Sequence, residues 1–250
     1  VRVLTPGLSL PDPKPFQQAL AATCLAWLDA STTPDKPDPV RQLELLERVI
    51  EYDADNQRAL AMLADLATKP GEAAEQAMAL LKQLLARGAA PAIVHLVLGT
   101  RALQAGRTDQ GLMHLEQARQ RNERMPDVLN NLAWGLAHKD PPDLERALQL
   151  AEAAQRLSPN HPEIFDTLGT ILAKMGKPRE AVTQLEKALR ALPPRAALHR
   201  KLGDLYEQLG DAELAAEHRR LAAQLESSPQ PGGGKNRTQA KPVPAAKAGM

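Results

Sequence analysis

The residues with the clearest potential for chemistry lie in the segment LGTILAKMGK, residues 168–177, where two glycines are followed by a lysine. A phosphate-binding loop has four residues between its glycines and a Ser or Thr after the lysine. Here six residues separate Gly169 from Gly176, and Pro178 follows Lys177. The residues before Gly169 also have the character of a helix start, where a phosphate loop needs a strand. We therefore predict that these glycines are structural and that the segment binds no nucleotide.

Histidine and cysteine are the other residue types that could support chemistry. None of the six histidines has a partner four residues away, which is the helical spacing of a zinc site, and the single cysteine cannot complete one. Cys24 lies on an apolar helical stripe and is expected in a core. The residue order indicates no Ser-His-Asp grouping. We predict that the chain is not an enzyme in itself and has no metal site and no cofactor.

The composition favours an all-α protein. Hydrophobic residues make up 43% of the chain, yet it has only two Phe, two Trp and two Tyr. A core of this kind is built from Ala and Leu, which are strong helix formers. No segment alternates polar and apolar residues for long enough to predict a strand.

Charge and hydropathy argue against several partners. The net charge of +1 indicates neither nucleic acid nor a membrane surface as a partner. No apolar run approaches the roughly 20 residues of a membrane span.

The two ends of the chain differ in composition from the rest. Residues 1–13 are predicted to be a Pro-rich linker, and the basic, Pro- and Gly-rich residues 229–250 are predicted to be a disordered tail. The sequence favours the cytoplasm without establishing the compartment, and the Val at its start leaves open that a signal peptide has been lost.

The glycine pair of the opening segment recurs along the chain. LGTRALQAGR at 98–107 and LGDLYEQLGD at 202–211 repeat its arrangement. Gly169 and Gly203 are 34 residues apart, and Gly99 precedes Gly169 by 70, which leaves room for one more unit. In that unit Ala133 replaces the first glycine. A fixed period of this length predicts a solenoid of stacked repeats.

The details of the repeat resemble the tetratricopeptide repeat (TPR) family. The clearest copy of the family pattern is Phe165, Leu168, Gly169, Leu172, Ala181, Leu185, Ala188 and Pro193. The resemblance implies a right-handed α-solenoid of about five to six antiparallel helix pairs over residues 14–228. Its units are a degenerate pair at 14–56 and repeats at 57–91, 92–125, 126–161, 162–195 and 196–228.

Each glycine of a pair has its own expected role. The first, such as Gly169, is expected where the two helices of a unit cross, because a side chain there would hold the backbones apart. The second, such as Gly176, is expected in the turn between the helices, in a left-handed conformation. His95 and His199 are expected to fill packing positions, and His114 and His218 to lie at the surface of second helices.

The resemblance also implies a concave groove lined by the first helix of each unit, in which a partner protein, peptide or helix binds. The groove positions carried over from the family are Thr100, Gln104, Asn130, Trp134, His138, Asp166, Thr170, Lys174, Arg200 and Asp204. Trp134 is expected to be an aromatic anchor, unless it packs against the longer turn at 138–143 or against the next unit instead. Asn131 matches one position of the carboxylate clamp that some TPR domains use, but the flanking units do not supply its other residues.

We therefore predict a non-catalytic protein–protein interaction scaffold. The alternative is that the chain is the C-terminal accessory region of a larger enzyme, such as a glycosyltransferase, whose catalytic part precedes Val1. The sequence does not indicate an oligomeric state or a specific partner.

Overall fold

The computed structural model describes residues 12–31, 38–69, 71–88, 90–191 and 195–227. Over these residues the regular secondary structure is entirely helical, which confirms the all-α prediction. The predicted tail at 229–250, Pro193 and all but the last two residues of the predicted linker at 1–13 lie outside them. The helices are α1 (Lys14–Ser31), α2 (Pro39–Tyr52), α3 (Gln57–Thr68), α4 (Glu72–Ala86), α5 (Ala92–Gln104), α6 (Thr108–Arg121), α7 (Pro126–His138), α8 (Leu144–Leu157), α9 (Pro162–Lys174), α10 (Pro178–Ala191), α11 (Ala196–Gln208) and α12 (Ala212–Ser227).

The helices belong to two compact units. The first unit extends to Leu192 and contains α1 to α10, and the second begins at Pro193 and contains α11 and α12. In the first unit each odd-numbered helix packs against the helix that follows it. In addition α3 contacts α5, α5 contacts α7, and α7 contacts α9. This is the arrangement of an α-solenoid of helix pairs, in which the first helices of successive pairs are neighbours.

Local sequence signals fix where several helices begin. The side chains of Asn56 and Asp143 accept hydrogen bonds from the first turns of α3 and α8, as helix-capping residues do. Proline is the first residue of α7 and α9, where its missing N–H costs nothing and its fixed φ suits a helix. These starts set the register of the two helices that contribute most to the site described below.

The core of the first unit consists of aliphatic side chains in two clusters. One cluster runs from α1 to α5 and the other from α5 to α9, and Ile93 packs against both. Cys24 is 1% exposed within the first cluster, as expected for a core residue. Burial raises the pKa of the Cys24 thiol, which keeps it protonated and unreactive at neutral pH.

The glycines occupy the two kinds of position that the repeat predicts. A Cβ atom on Gly169 would lie 2.6 Å from Cγ of Leu185 in α10, and one on Gly99 would lie 2.7 Å from Cγ of Leu115 in α6. Both glycines therefore allow a close helix crossing that any side chain would obstruct. Gly106 and Gly176 each have φ of +73° in the turn after the first helix, a conformation that glycine adopts without strain.

The second unit is a single helix pair. At its helix crossing the side chain against the glycine is an arginine, where the first unit has a leucine. A Cβ atom on Gly203 in α11 would lie 3.1 Å from Cγ of Arg219 in α12. The guanidinium of Arg219 continues over α11 and pairs with Asp204, at 3.3 Å, and with Glu207. The aliphatic stem of an arginine thus covers the glycine at the place where Leu185 covers Gly169 in the first unit.

Candidate binding groove on the first helices

Two adjoining cavities open on the first helices of the first unit. One has a volume of about 330 Å³ and is lined by residues of α3, α5, α7 and α9. The other has a volume of about 250 Å³ and is lined by residues of α5, α7 and α9. Four residues line both cavities, which makes the two a continuous groove: Thr100, Asn130, Asn131 and Glu163. We refer to the pair of cavities as the groove.

Half of the predicted groove positions come together in the smaller cavity. These are Thr100, Gln104, Asn130, Trp134 and Asp166. They lie on three successive first helices, so the contact between α5 and α7 and that between α7 and α9 bring them together. Their role in binding stays a prediction.

Amide and hydroxyl groups form a short chain of hydrogen bonds on the floor of the groove. Asn131 Nδ2 donates to Thr100 Oγ1 at 2.9 Å, and Thr100 Oγ1 donates to the Leu96 carbonyl oxygen at 2.8 Å. Asn130 Nδ2 donates to Asn131 Oδ1 over a longer 3.4 Å. Asn130 is 8% exposed, and its buried Oδ1 accepts no hydrogen bond from the described part of the chain. A buried acceptor without a donor is costly to the fold.

Trp134 is partly exposed in the groove, as expected of an anchor, and also packs against His138, the first residue of the turn at 138–143. Its side chain is 40% exposed and lines the smaller cavity. The indole also stacks on the His138 ring, with centroids 4.1 Å apart, and His138 Nδ1 lies 2.7 Å from the Trp134 carbonyl oxygen. His138 therefore braces Trp134 and does not itself line the two cavities. The bracing leaves a large, rigid apolar surface facing the groove.

Two other predicted positions on α9 are engaged in contacts within the chain. Thr170 Oγ1 donates to the Asp166 carbonyl oxygen at 2.8 Å. Lys174 Nζ donates to the Ala137 carbonyl oxygen at 2.7 Å, which ties the end of α9 to the end of α7. Neither residue lines the two cavities. Direct contact with a partner stays a prediction for them.

The remaining predicted positions, Arg200 and Asp204, lie in the second unit. Arg200 pairs with Glu226 at 3.2 Å, and Asp204 pairs with Arg219. Both pairs join α11 to α12. Their predicted role as groove residues stays untested by these contacts.

The lining of the groove is acidic, a property that the sequence analysis missed. Its charged residues are Asp65, Asp127, Glu163 and Asp166, and the described lining contains neither Lys nor Arg. His161 lies between two of the carboxylates, with Nε2 at 3.5 Å from Asp127 and Nδ1 at 3.3 Å from Glu163. The available signal was the acidic residue that directly follows the proline at the start of α7 and of α9.

Two larger clefts of the first unit are weaker candidates. One, of about 610 Å³, lies between α2 and α4, and the other, of about 650 Å³, surrounds Phe165 and Lys187. Both have charged rims, and among their described lining residues there is neither a partnerless buried polar atom nor an exposed tryptophan.

The structure pairs histidines that the sequence analysis treated singly. His95 Nδ1 lies 3.2 Å from His114 Nδ1, and His199 Nδ1 lies 3.0 Å from His218 Nδ1. His114 and His218 are partly exposed on their second helices, as expected, but each ring also contacts a buried histidine of the first helix. Each pair joins the two helices of one unit over 19 residues, a separation that helical periodicity does not reveal.

Burial changes the titration of His95, His114 and His199. Burial, with smaller contributions from Arg121 and His114, lowers the pKa of His95 to about 4. Burial likewise lowers the pKa of His114 and, with the adjacent His218, that of His199. Within the described residues, no group of three or more His, Cys, Asp or Glu is placed to hold a metal ion. None of the described helices is both long and apolar enough to span a membrane.

The repeated geometry agrees with a match at the level of sequence families. The tetratricopeptide repeat model matches residues 96–162 and 167–230, which together exceed half of the chain. The chain belongs to the tetratricopeptide repeat family. The TPR resemblance inferred from the glycine pairs is thereby confirmed.

Individual relatives support the same TPR fold. A TPR repeat-containing thioredoxin of Arabidopsis thaliana is 39% identical over 72 residues, which are 29% of this chain and 11% of the thioredoxin. Among solved structures, MamA AMB-1 is 26% identical, with 61% of this chain and 89% of that chain covered and a TM-score of 0.50. MamA from Desulfovibrio magneticus RS-1 is 17% identical, with coverages of 69% and 96% and a TM-score of 0.54. PilF of Pseudomonas aeruginosa is 21% identical, with coverages of 79% and 79% and a TM-score of 0.52.

These findings fix the class of function. TPR arrays are protein-interaction scaffolds, since stacked repeats present extended concave surfaces to other proteins. The fold is typically non-catalytic. The chain matches only a small part of the thioredoxin's length, so that protein's activity is not carried over with the repeats.

Proposed function

We propose that the first unit binds a partner polypeptide in the groove formed by α3, α5, α7 and α9, and that the chain performs no catalysis itself. The observation that carries this proposal is the position of Trp134 beside Asn130. A braced, exposed indole and the buried side chain of Asn130 line the same cavity. Large aromatic side chains dominate the energetics of protein interfaces, and a rigid one loses little entropy on binding.

The proposal is tested by weakening the groove without disturbing the fold. Partners are captured from native lysate on the immobilised parent chain and on the Trp134→Ala, Asp166→Ala double variant. We expect the variant to recover a given partner at least tenfold less, with an unchanged far-ultraviolet circular dichroism spectrum. Met113→Ala is the matched control, because Met113 is 55% exposed on α6 and lines neither cavity.

Site-specific crosslinking provides a second readout. A photoreactive side chain at Gln104, which is exposed and lines the smaller cavity, should crosslink to the captured partner, and one at Met113 should not. Equal crosslinking from both positions, together with equal recovery by the double variant, would place binding outside the groove.

A second function has one observation in its favour. A relative that shares 39% identity over 72 residues carries TPR repeats together with a thioredoxin. We keep as an alternative that this array is an accessory region of a larger enzyme, such as a glycosyltransferase, that lies upstream of Val1. Reading the coding sequence upstream of Val1 tests this alternative. A catalytic domain in frame supports it, and an initiating methionine or a signal peptide directly upstream refutes it.

A further inference from the structure

A cleft of about 650 Å³ opens beside the second helices α8 and α10, on a different face of α9 from the groove. Asp166 lines the groove, whereas Phe165, the residue before it, lines this cleft. Successive residues of a helix point about 100° apart, so α9 contributes to both sites. The described lining of the cleft consists of Gln155, Arg156, Pro159, Asn160, Phe165, Lys187 and Arg190.

The charged residues in this lining are all cations. They are Arg156, Lys187 and Arg190, and the described lining contains neither Asp nor Glu, so we refer to this cleft as the basic cleft. Glu186 offsets one of the three charges, because it pairs with Arg190 at 3.6 Å. Three positive charges and one negative charge leave an excess of two positive charges. A concave surface with low-dielectric walls concentrates that potential on an anion that enters it.

Two of the three cations are available to a ligand. Neither Arg156 nor Lys187 forms an ion pair within the part of the chain that the structure describes, and both are exposed. Lys187 Nζ lies 5.6 Å from the centroid of the Phe165 ring. A cation over an aromatic face is attracted to the ring but keeps its charge, so Lys187 can still donate to an anion.

Helix stability accounts for only part of this charge. Arg156 and Arg190 lie in the last turns of α8 and α10, where a cation stabilises the helix dipole. Lys187 lies before the last turn of α10, so the helix end does not require its charge. Phe165 adds a partly buried aromatic ring to the same lining. The basic cleft therefore offers cationic donors and an apolar surface side by side.

We infer that the basic cleft binds an acidic segment of a partner protein, with Asp or Glu side chains paired with Arg156 and Lys187 and an apolar side chain against Phe165. An arginine presents its donors in a planar fork that matches the two oxygens of a carboxylate. A small anion alone would leave the apolar surface unused, whereas a polypeptide with acidic and apolar side chains covers both. The basic cleft shares no lining residue with the groove, so this inference does not depend on the proposed function.

The test uses the full chain and an unbiased probe. A phage-displayed library of random 12-residue peptides is selected on the immobilised chain, and each selected peptide is measured by fluorescence polarisation. We expect one class of selected peptides to contain an excess of Asp and Glu beside an apolar residue. The affinity of this acidic class should fall several-fold between 0.1 M and 1 M salt, because the screening length shortens from about 10 Å to about 3 Å.

Charge-neutralising variants locate the site at which this class binds. Arg156→Gln with Lys187→Gln, the cleft variant, should weaken an acidic peptide about tenfold at low salt. The matched control is Lys82→Gln with Arg124→Gln, which removes the same number of charges from exposed positions that line neither the basic cleft nor the groove. The control should change the affinity less than twofold.

A conservative variant tests the apolar part of the site. Phe165→Leu keeps an apolar side chain, and leucine is the residue at the equivalent position of the preceding repeat, Leu129. We expect it to weaken an acidic peptide about threefold, with an unchanged far-ultraviolet circular dichroism spectrum, because the flat aromatic surface is lost. An unchanged affinity would overturn the contact between the ligand and Phe165.

The outcomes distinguish this inference from the proposed function. Acidic peptides that keep their affinity for Trp134→Ala and lose it for the cleft variant support the inference, whether or not a partner binds in the groove. Acidic peptides with the opposite behaviour would place their binding in the groove and overturn it. A library that yields no peptide sensitive to the cleft variant also overturns it, as does an equal loss in the cleft variant and the control, since only net charge would then matter. Displacement of the peptides by millimolar inorganic phosphate at constant ionic strength would show that the basic cleft takes a small anion and would likewise contradict the inference.

Discussion

At the scale of single residues, two buried polar side chains differ in their surroundings. Asn130 lines the groove, and its buried Oδ1 has no donor in the described part of the chain, whereas His95 is 4% exposed and uses its Nδ1 to contact His114. His95 Nε2 is buried without a partner in the described part of the chain. The tautomer in which His95 Nδ1–H donates to His114 leaves Nε2 as a bare nitrogen in the core. Protonating it would bury a positive N–H without an acceptor, which accords with the lowered pKa.

The His95 site predicts that acid destabilises the chain. A histidine with a folded pKa of about 4 and an unfolded pKa near its ordinary value of 6.5 binds more protons when unfolded. Its contribution is fully present above about pH 6.5 and is lost as the pH falls towards 4. Between pH 7 and pH 5 we expect the parent to lose about 1–2 kcal/mol more free energy of unfolding than His95→Leu.

Urea unfolding at both pH values measures this difference. Leucine is a suitable replacement because Leu129 occupies the equivalent position of the following repeat. Identical pH dependence of the parent and the variant would show that His95 does not titrate in this way.

At the scale of helices, the geometry depends on how closely the members of each pair approach. Gly169 lets α9 cross α10 with Leu185 against its backbone, and Ala133 takes the equivalent place in α7. On the groove side, Lys174 ties α9 to the last turn of α7. The shape of the groove therefore depends on the spacing of the helices. Residues outside the groove set that spacing.

Replacing Gly169 with leucine should force this crossing apart. A Cβ at this position meets Leu185 at 2.6 Å, so we expect a net loss of about 1–3 kcal/mol in the free energy of unfolding. Denaturant unfolding measures it, with Thr183→Leu on the exposed face of α10 as the control, expected within about 0.5 kcal/mol of the parent. A Gly169→Leu protein as stable as the control would contradict the proposed crossing.

The helix pairs and the roles of their glycines were predictable from the sequence, because the residues that indicate them lie close together in the chain. The period of 34 residues between Gly169 and Gly203 and the paired glycines mark each crossing and turn within one unit. The acidity of the groove was not predictable in the same way, because Asp65 and Asp166 lie 101 residues apart and meet only through three helix packings. The hydrogen bonds that Thr170 and Lys174 donate within the chain were likewise not visible in the spacing of residues along α9.

At the scale of the whole molecule, the described lining of the groove lies in the first unit. The described residues that line its two cavities lie between Ala64 and Thr167, and both aliphatic clusters lie within α1 to α9. In repeat proteins stability is approximately a sum over repeats and their nearest-neighbour interfaces. The first unit therefore contains the lining residues and the aliphatic core that form the groove.

A chain that ends at Ala191 tests this division. We expect it to fold, with cooperative unfolding, and to bind a partner captured by the full chain within about twofold of the full chain's affinity, a difference below about 0.5 kcal/mol. Circular dichroism and fluorescence polarisation measure the two properties. A folded truncated chain with more than tenfold weaker binding would show that the second unit takes part.

The stacked pair of Trp134 and His138 has a practical consequence. The chain has only one other tryptophan, Trp27, so Trp27→Phe leaves a protein whose indole emission comes from the groove alone. Because that indole is two-fifths exposed, a ligand that covers it should shift its emission to shorter wavelength. The protein thus contains its own optical reporter of occupancy, and a titration needs no attached dye.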